Sequence, residues 1–376
     1  MDNHPYRTWV EVSRARLAEN FRQVRQSVGP GVEVMGVVKS DAYGHGAVEV
    51  ARLLVAEGAR WLAVSNASEG VALRKAGIPA RILVMADCFP FEHPYLFEYS
   101  LTPVVHSLAD LEVLDRQAEA RGVRLPFHLK IDTGMCRLGT RAAPGEILAA
   151  LSRARHLMLE GLMTHFASSA DYASSQTDEQ IAAFQTVLSE LRRRGIEPEW
   201  IHLSSTNPVA YGRRNAWGNM VRVGHALYGY VSPAKGHAPG QLIKVRPALS
   251  WKARILSVKQ LPAGSRVGYG GTFRTEQPTL IAVLAAGYAD GVPHRLSNRG
   301  KVIAGGQLAP IVGAVSMDLT TIDITRVPDL KPGDAVTLIG EEGEAELNAQ
   351  QIARWAGTIS YCVLCGISPR VPRIYV

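Results

Sequence analysis

The stretch EVMGVVKSDAYGHGAVEVARLLVAEGARWLAV, residues 33–64, decides the fold. It opens on a continuous apolar run, EVMGVVK (33–39), and crosses GAVEVARLLVAEGA (46–59), where apolar residues recur at spacings of three and four. It closes on a second short run, WLAV (61–64). That is a β-α-β unit. Because the runs are continuous and do not alternate, they predict strands buried on both faces, as in a parallel sheet.

Working outward, six further runs of the same kind follow: RILVM (81–85), LTPVV (101–105), PFHLKID (126–132), LMLEGLMTH (157–165), EWIHL (199–203) and NMVRVG (219–224). Amphipathic segments such as SLADLEVLDRQAEARG (107–122) separate most of them. Eight β-α repeats are the number that closes a (β/α)8 TIM-type barrel, and the roughly 200 residues available reach its lower size limit. An open doubly wound sheet is the competing arrangement. After Gly229 the texture changes: Pro233, Gly236, Pro239 and Gly240 break the pattern. Strand-like runs then follow (LSWKARILSV, TLIAVLAAGYA, KVIAGG, APIVGAV, LTTIDI, AVTLIG), with one helical stretch, LNAQQIARWAGT. The expected fold is α/β: a barrel over residues 12–240, then a mostly β domain over 241–376, with residues 1–11 pairing onto the second domain through TWVEVS.

Composition agrees with two domains. The chain has 376 residues, 47% hydrophobic and 20% charged, which supports proper cores and excludes disorder as the main theme. Its net charge is +7, but the cations, 32 Arg and only 9 Lys, are scattered among acids, so no nucleic-acid stripe forms. The longest apolar run, Leu280 to Gly287, is far short of a membrane span. The opening MDNHPYRTWVEV lacks a basic region followed by an apolar one, and a cytoplasmic protein is expected. Cysteines at 88, 136, 362 and 365 make no disulfide framework. The lone CxxC of Cys362 and Cys365 reads as core thiols in a strand or packed turn, not as a zinc site.

The scarce lysines matter most where they interrupt apolar strands, because a buried ammonium must be paired or neutralised. Lys39 ends the first barrel strand, on the face where such barrels carry their active sites, and Lys130 sits in FHLKID. A desolvated lysine has a lowered pKa and can form Schiff bases. The bland alternative is a lysine snorkelling from the barrel mouth.

VVKSDAYGHG places Tyr43, Gly44, His45 and Gly46 directly ahead of a helix, and here the sequence resembles the alanine racemases, barrel-type pyridoxal phosphate (PLP) enzymes with a β C-terminal domain. GLMTHFA, NMVRVGHALYG, VGYGGTF, GYADG, SMDLTTID and VLCGISPRVPR are similar to that family in the same order across essentially the whole chain.

The resemblance implies the following roles. Lys39 holds PLP covalently and exchanges the Cα proton on the D-alanine face, while Tyr269 acts on the L-alanine face; racemisation requires such two-sided proton transfer. Arg222 faces the pyridine nitrogen and, as a guanidinium that keeps its proton, leaves that nitrogen unprotonated and limits transamination. The phosphate is held by the Tyr43 and Tyr361 hydroxyls, Ser205, and backbone N–H groups at Gly224 and His225. Ser204-Ser205 replaces the family's common Asn-Ser, and His225 stands where an aliphatic residue is usual. His165 stacks near the ring. Arg137 aids substrate carboxylate binding, and Lys130 matches a lysine that is carbamylated in many members to hold that arginine; Asp132 is an alternative partner. Met317 and Asp318 reach the substrate from the second domain, and Tyr288 lines the entrance. Tyr269 and the Met317 segment come from the partner subunit of a head-to-tail homodimer.

The implied activity is interconversion of L- and D-alanine, supplying D-alanine to peptidoglycan in a bacterial host. A wider substrate range that includes serine is the neighbouring reading, disfavoured by the bulk of Tyr361, Met317 and Tyr288. A non-catalytic PLP carrier would lack the second domain and Tyr269. A barrel-type decarboxylase would carry a C-terminal Cys-Asp motif that is not apparent.

Overall fold

The computed structural model describes residues 5–86 and 88–376; of the N-terminal segment 1–11, residues 1–4 lie outside the described residues. The chain divides into two compact units. One comprises Arg16–Ala42 and Ala47–Arg246; the other comprises Tyr43–Gly46, Pro247–Val376 and the N-terminal residues through Ala15. The change of unit thus falls after Arg246, and the short piece Tyr43–Gly46, beginning four residues beyond Lys39, belongs to the C-terminal unit.

β1 (Thr8–Val12) belongs to the second unit; in the first, eight strands run parallel: β2 (Glu33–Val37), β3 (Trp61–Val64), β4 (Arg81–Val84), β5 (Thr102–Val105), β6 (Leu125–Lys130), β7 (Leu157–Met163), β8 (Trp200–His202) and β9 (Met220–Val223). Their order is β8-β7-β6-β5-β4-β3-β2-β9. β2 pairs with both β3 and β9, which curls the sheet round. The β8–β9 seam closes the ring with less regular bonds, Asn219 N–H to Ile201 O at 3.1 Å and Arg222 N–H to Ser204 O at 3.1 Å. The arrangement is the nearly closed (β/α)8 barrel, not the open sheet. Most of its strand residues are buried, completely so in Trp61–Val64 and Met220–Val223, which is why their sequence reads as continuous apolar runs.

The helices cover the barrel through one apolar stripe each. Arg14–Val28 buries Leu17, Phe21, Val24 and Val28 at helical spacing. Asn66 and Ser107 cap the helices Ala67–Lys75 and Leu108–Ala120, accepting from Glu69 N at 3.0 Å and Asp110 N at 3.2 Å.

The second unit is built on β10 (Leu249–Leu261), which begins with alternating burial: Leu249, Trp251, Ala253 and Ile255 point inward. β1 pairs antiparallel with it, from Thr8 opposite Ala253 to Val12 opposite Leu249. The later strands are β11 (Arg266–Val267), β12 (Phe273–Arg274), β13 (Thr279–Leu284), β14 (Lys301–Ala304), β15 (Gln307–Pro310), β16 (Thr320–Asp323), β17 (Ala335–Glu342), β18 (Ala345–Leu347) and β19 (Arg373–Tyr375). The sheet runs β15-β14-β17-β10-β1-β19, with β13, β16 and β18 off that path, while β11 and β12 form a separate hairpin.

One expectation fails here. Ser360–Cys365 is a short helix that buries Val363 and Leu364, so Cys362 and Cys365 face outward and are exposed. The apolar pair between the cysteines takes the core positions that had been assigned to the thiols. Among the described residues no helix is long and apolar enough to cross a membrane, and no group of three or more His, Cys, Asp or Glu side chains could hold a metal ion.

Candidate active site

Lys39 follows β2 at the C-terminal end of the barrel strands. The chain then does something unusual: Ser40, Asp41, Ala42 and Tyr43 all have positive φ, from 52° to 55°, which makes a turn of left-handed helix without a glycine. Each such residue costs roughly 1–2 kcal/mol, so the turn must be held by its surroundings. Ala42 N–H donates to Val38 O at 2.9 Å, and Asp41 Oδ1 accepts from Ala47 N at 2.7 Å. Glu69 accepts Ser40 N–H on one carboxylate oxygen and Ser65 N–H on the other, both at 2.7 Å, which ties the residue after Lys39 to the end of β3. Gly44 ends the turn at φ 80°, where a Cβ would lie 2.4 Å from Leu364 O.

Within the barrel unit, Arg222 is the best-partnered cation. Its guanidinium donates to His202 O (2.7 Å), Thr164 O (2.7 Å) and Leu203 O (3.1 Å), and to the ring nitrogens His202 Nδ1 (3.1 Å) and His165 Nδ1 (3.2 Å). Burial pulls its pKa down to about 9, which still leaves it charged at neutral pH. His165 is pulled down to about 3, first by burial and then by Arg222, Lys130, Arg137 and Lys39. It is therefore a neutral imidazole whose Nδ1 accepts from Arg222.

Lys130 is buried, and its amine is pulled down to about 8 by burial, Arg222, Arg137 and Lys39, with Asp132 acting the other way. Asp132 itself does not bond Arg137. Its oxygens accept Gly134 N (3.1 Å), Cys136 N (2.9 Å) and Arg141 Nε (2.9 Å), so Arg141 takes the carboxylate that had been offered to Arg137. Arg137 is exposed. At the ends of β8 and β9, Ser205 precedes the helix Thr206–Ala210, and Ala226 N–H meets Thr206 Oγ1 at 3.3 Å, which brings Ser205 close to Gly224 and His225. The His225 ring stacks on Tyr230 at 5.3 Å.

Lys39, Lys130, Arg137 and Arg222 thus share one neighbourhood, and the carboxylate that acts on Lys130 there, Asp132, is already engaged by Arg141. A donor set of four cations suits a group carrying a phosphate dianion and a substrate carboxylate, and the residues present fit PLP.

The other site residues lie in the C-terminal unit. Tyr43 is buried beside Tyr361, ring centroids 5.8 Å apart, and burial, Tyr361 and Cys365 push its phenol up, so its hydroxyl remains a donor. Tyr269 sits at the tip of the β11–β12 hairpin between glycines of positive φ and is 78% exposed. Tyr288 N–H and Ala289 N–H donate to Ser316 O (3.0 Å) and Met317 O (2.9 Å), which fastens GYADG to the Met317–Asp318 segment. Arg370 adds a second tie, donating to Asp290 and to Asp318, each at 2.7 Å.

Sequence reasoning missed several of these contributors: Glu69, Arg370 and the histidines beneath Arg222. A signal existed for His128 and His202, which interrupt apolar strands just as the lysines do.

A nearly closed barrel with a lysine at the end of its first strand and a cation-lined mouth, followed by a β domain, defines a barrel-type PLP enzyme. Residues 12–233 match the family profile described as the alanine racemase N-terminal domain, and residues 248–375 match the alanine racemase C-terminal domain. The alanine racemase of Halothermothrix orenii is 42% identical over 98% of this chain and 96% of its own length. That of Carboxydothermus hydrogenoformans is 41% identical over 98% and 99%. Among solved structures, the alanine racemase of Clostridium difficile 630 superposes with a TM-score of 0.92 at 32% identity, covering 100% of this chain and 97% of that one. The Bartonella henselae alanine racemase, solved with covalently bound pyridoxal phosphate, superposes with a TM-score of 0.87 at 28% identity over 99% and 100%. The chain belongs to the alanine racemase family.

Proposed function

We propose that this chain interconverts L- and D-alanine with Lys39 and Tyr269 as the two acid–base groups, one for each face of Cα. The observation that supports this most is the grouping of Lys39 with Arg222, Lys130 and Arg137 at the ends of the barrel strands. PLP, held through Lys39, supplies the electron withdrawal that makes the Cα proton removable.

The chain's own residues do the rest. Tyr43, Tyr361, Ser205 and the backbone at Gly224 and His225 anchor the phosphate. Arg222 presents a guanidinium that is charged at neutral pH to the ring nitrogen, and neutral His165 packs beside the ring. Arg137 takes the substrate carboxylate, with Met317, Asp318 and Tyr288 bounding the small side chain. An amine pulled down to about 8 is available to react as the neutral base, which supports carbamylation of Lys130. Tyr269, Tyr288 and Met317 are exposed in the single chain, which supports a homodimer whose second copy covers them. Four cysteines without a disulfide support a reducing compartment, the cytoplasm, where D-alanine would be made for the cell wall.

Incubating the PLP-loaded protein with L-alanine in D2O should give D-alanine carrying deuterium at Cα. Absence of both exchange and D-alanine would reject the reading.

A further inference from the structure

Beneath Arg222 a line of buried polar side chains runs down through the barrel unit to its surface. His202 Nε2 lies 2.8 Å from His128 Nδ1, and His128 Nε2 lies 3.5 Å from Glu160 Oε2. Glu160 is bound by both guanidinium nitrogens of Arg81, the second at 2.6 Å, at the start of β4. His128 and His202 are fully buried and Glu160 nearly so. The 3.5 Å step is at the outer edge of hydrogen-bond range, so that link is mainly electrostatic.

The chemistry of the ends dictates every proton between them. Arg222 can only donate, so His202 Nδ1 must accept and His202 carries its proton on Nε2. That proton points at His128 Nδ1, which must accept in turn, and His128 therefore carries its proton on Nε2, facing the carboxylate of Glu160. From the other end the anion demands the same orientation. Both imidazole dipoles lie head to tail, with negative ends toward Arg222 and positive ends toward Glu160.

Local structure is shaped to hold this line. The β6–β7 register slips at Phe127/His128, leaving Glu160 as the extra residue of a bulge, a device that re-aims a side chain. The next residue is Gly161, where a Cβ would come within 2.5 to 2.7 Å of three atoms of the His128 ring, so only glycine leaves that ring a seat. Trp61 packs on the His128 ring at 5.3 Å and under the Arg81 guanidinium at 4.2 Å.

We infer that His128 and Glu160 are positioning residues for Arg222. The line Arg81–Glu160–His128–His202 fixes one tautomer at each imidazole and supports Arg222 by acceptors alone, with its countercharge two rings away. A carboxylate placed directly on Arg222 would cancel the charge that faces the ring nitrogen. A remote one, reached through aligned dipoles, stabilises the cation and leaves its field intact. The consequence for catalysis rests on the role given to Arg222 above; the order of protons along the line does not.

The test uses the PLP-loaded protein labelled with 15N-histidine, in wild-type form and as His128→Phe, His128→Gln and Glu160→Gln. In the wild type, His202 and His128 should both be neutral with the proton on Nε2. His128→Phe keeps a ring in the Gly161 seat but removes the acceptor, so the His202 Nε2 proton should shift and exchange. Its kcat should fall about 10-fold, equal to about 1.4 kcal/mol, with KM for alanine little changed and PLP retained. His128→Gln, which can accept from His202 and donate to Glu160, should recover most of the loss. Glu160→Gln, which keeps shape and drops the charge, should move the same observables less far. The inference is overturned if the wild-type tautomers differ, if Phe leaves kcat and the His202 signal unchanged, or if Gln is as damaging as Phe. A wild type with the predicted tautomers that does not racemise alanine would instead reject the functional reading and leave the proton order standing.

Discussion

Arg222 and Tyr269 are assigned to one reaction, yet the first is 3% exposed with acceptors on several sides and the second is 78% exposed at a hairpin tip. A buried guanidinium must satisfy its donors within its own unit, because no water will do so. A phenol on a glycine-flanked turn needs no such support to stay folded. The barrel half of the site is therefore organised inside a single chain. The tyrosine half is left exposed in the single chain, and the proposed homodimer would supply its cover from a second copy.

Four predictions break or sharpen this contrast. Lys39→Ala should lower racemisation by about 10⁴-fold or more and abolish covalent PLP attachment, with a thermal unfolding profile near that of the wild type. Tyr269→Phe should cost about 10²- to 10⁴-fold but asymmetrically: the Cα proton of D-alanine still exchanges with D2O while that of L-alanine does not. Symmetric loss would show that the two groups do not divide the faces.

The third prediction concerns stability and pH. His165 is held down to about 3 and His106 to about 4, and burial lowers His128 and His202 as well. Folded pKa values below the unfolded value of about 6.5 mean that the unfolded chain binds more protons below that pH, so stability falls as pH falls. Each such histidine contributes up to roughly 1.4 kcal/mol per pH unit. The urea midpoint should drop clearly between pH 7.5 and pH 5.5, and a flat profile would contradict the buried neutral imidazoles. The smallest effect is expected for Arg370→Lys in the C-terminal unit. It loosens the ties of a half-exposed guanidinium to buried Asp290 and exposed Asp318 and should raise KM for alanine severalfold with little change in melting temperature.

The barrel was legible because strands buried on both faces cannot alternate, and Lys39 stood out because an ammonium does not belong in such a run. The same rule applied to histidine would have exposed His128 and His202, but a neutral imidazole is a weaker violation than a charge. Glu160 could not have been placed, since its aim depends on a bulge that shifts register by one residue. The left-handed turn after Lys39 is equally silent: Ser40 to Tyr43 contains no glycine, and its conformation is held by a tertiary tie to Glu69 and a local backbone bond from Ala42 back to Val38. The CxxC misled because four residues of apolar-flanked cysteine suit a strand as well as a helix, and only the helix turns the thiols outward.

The central claim, that the two halves of one site come from two chains, has a direct test. Lys39→Ala and Tyr269→Phe, each nearly inactive alone, are co-expressed with different tags and the mixed dimer is isolated. One of its two sites would then hold an intact Lys39 and an intact Tyr269, and alanine racemisation should return to a substantial fraction of the wild-type rate. A mixed dimer that forms, binds PLP and stays as inactive as its parents would contradict the account.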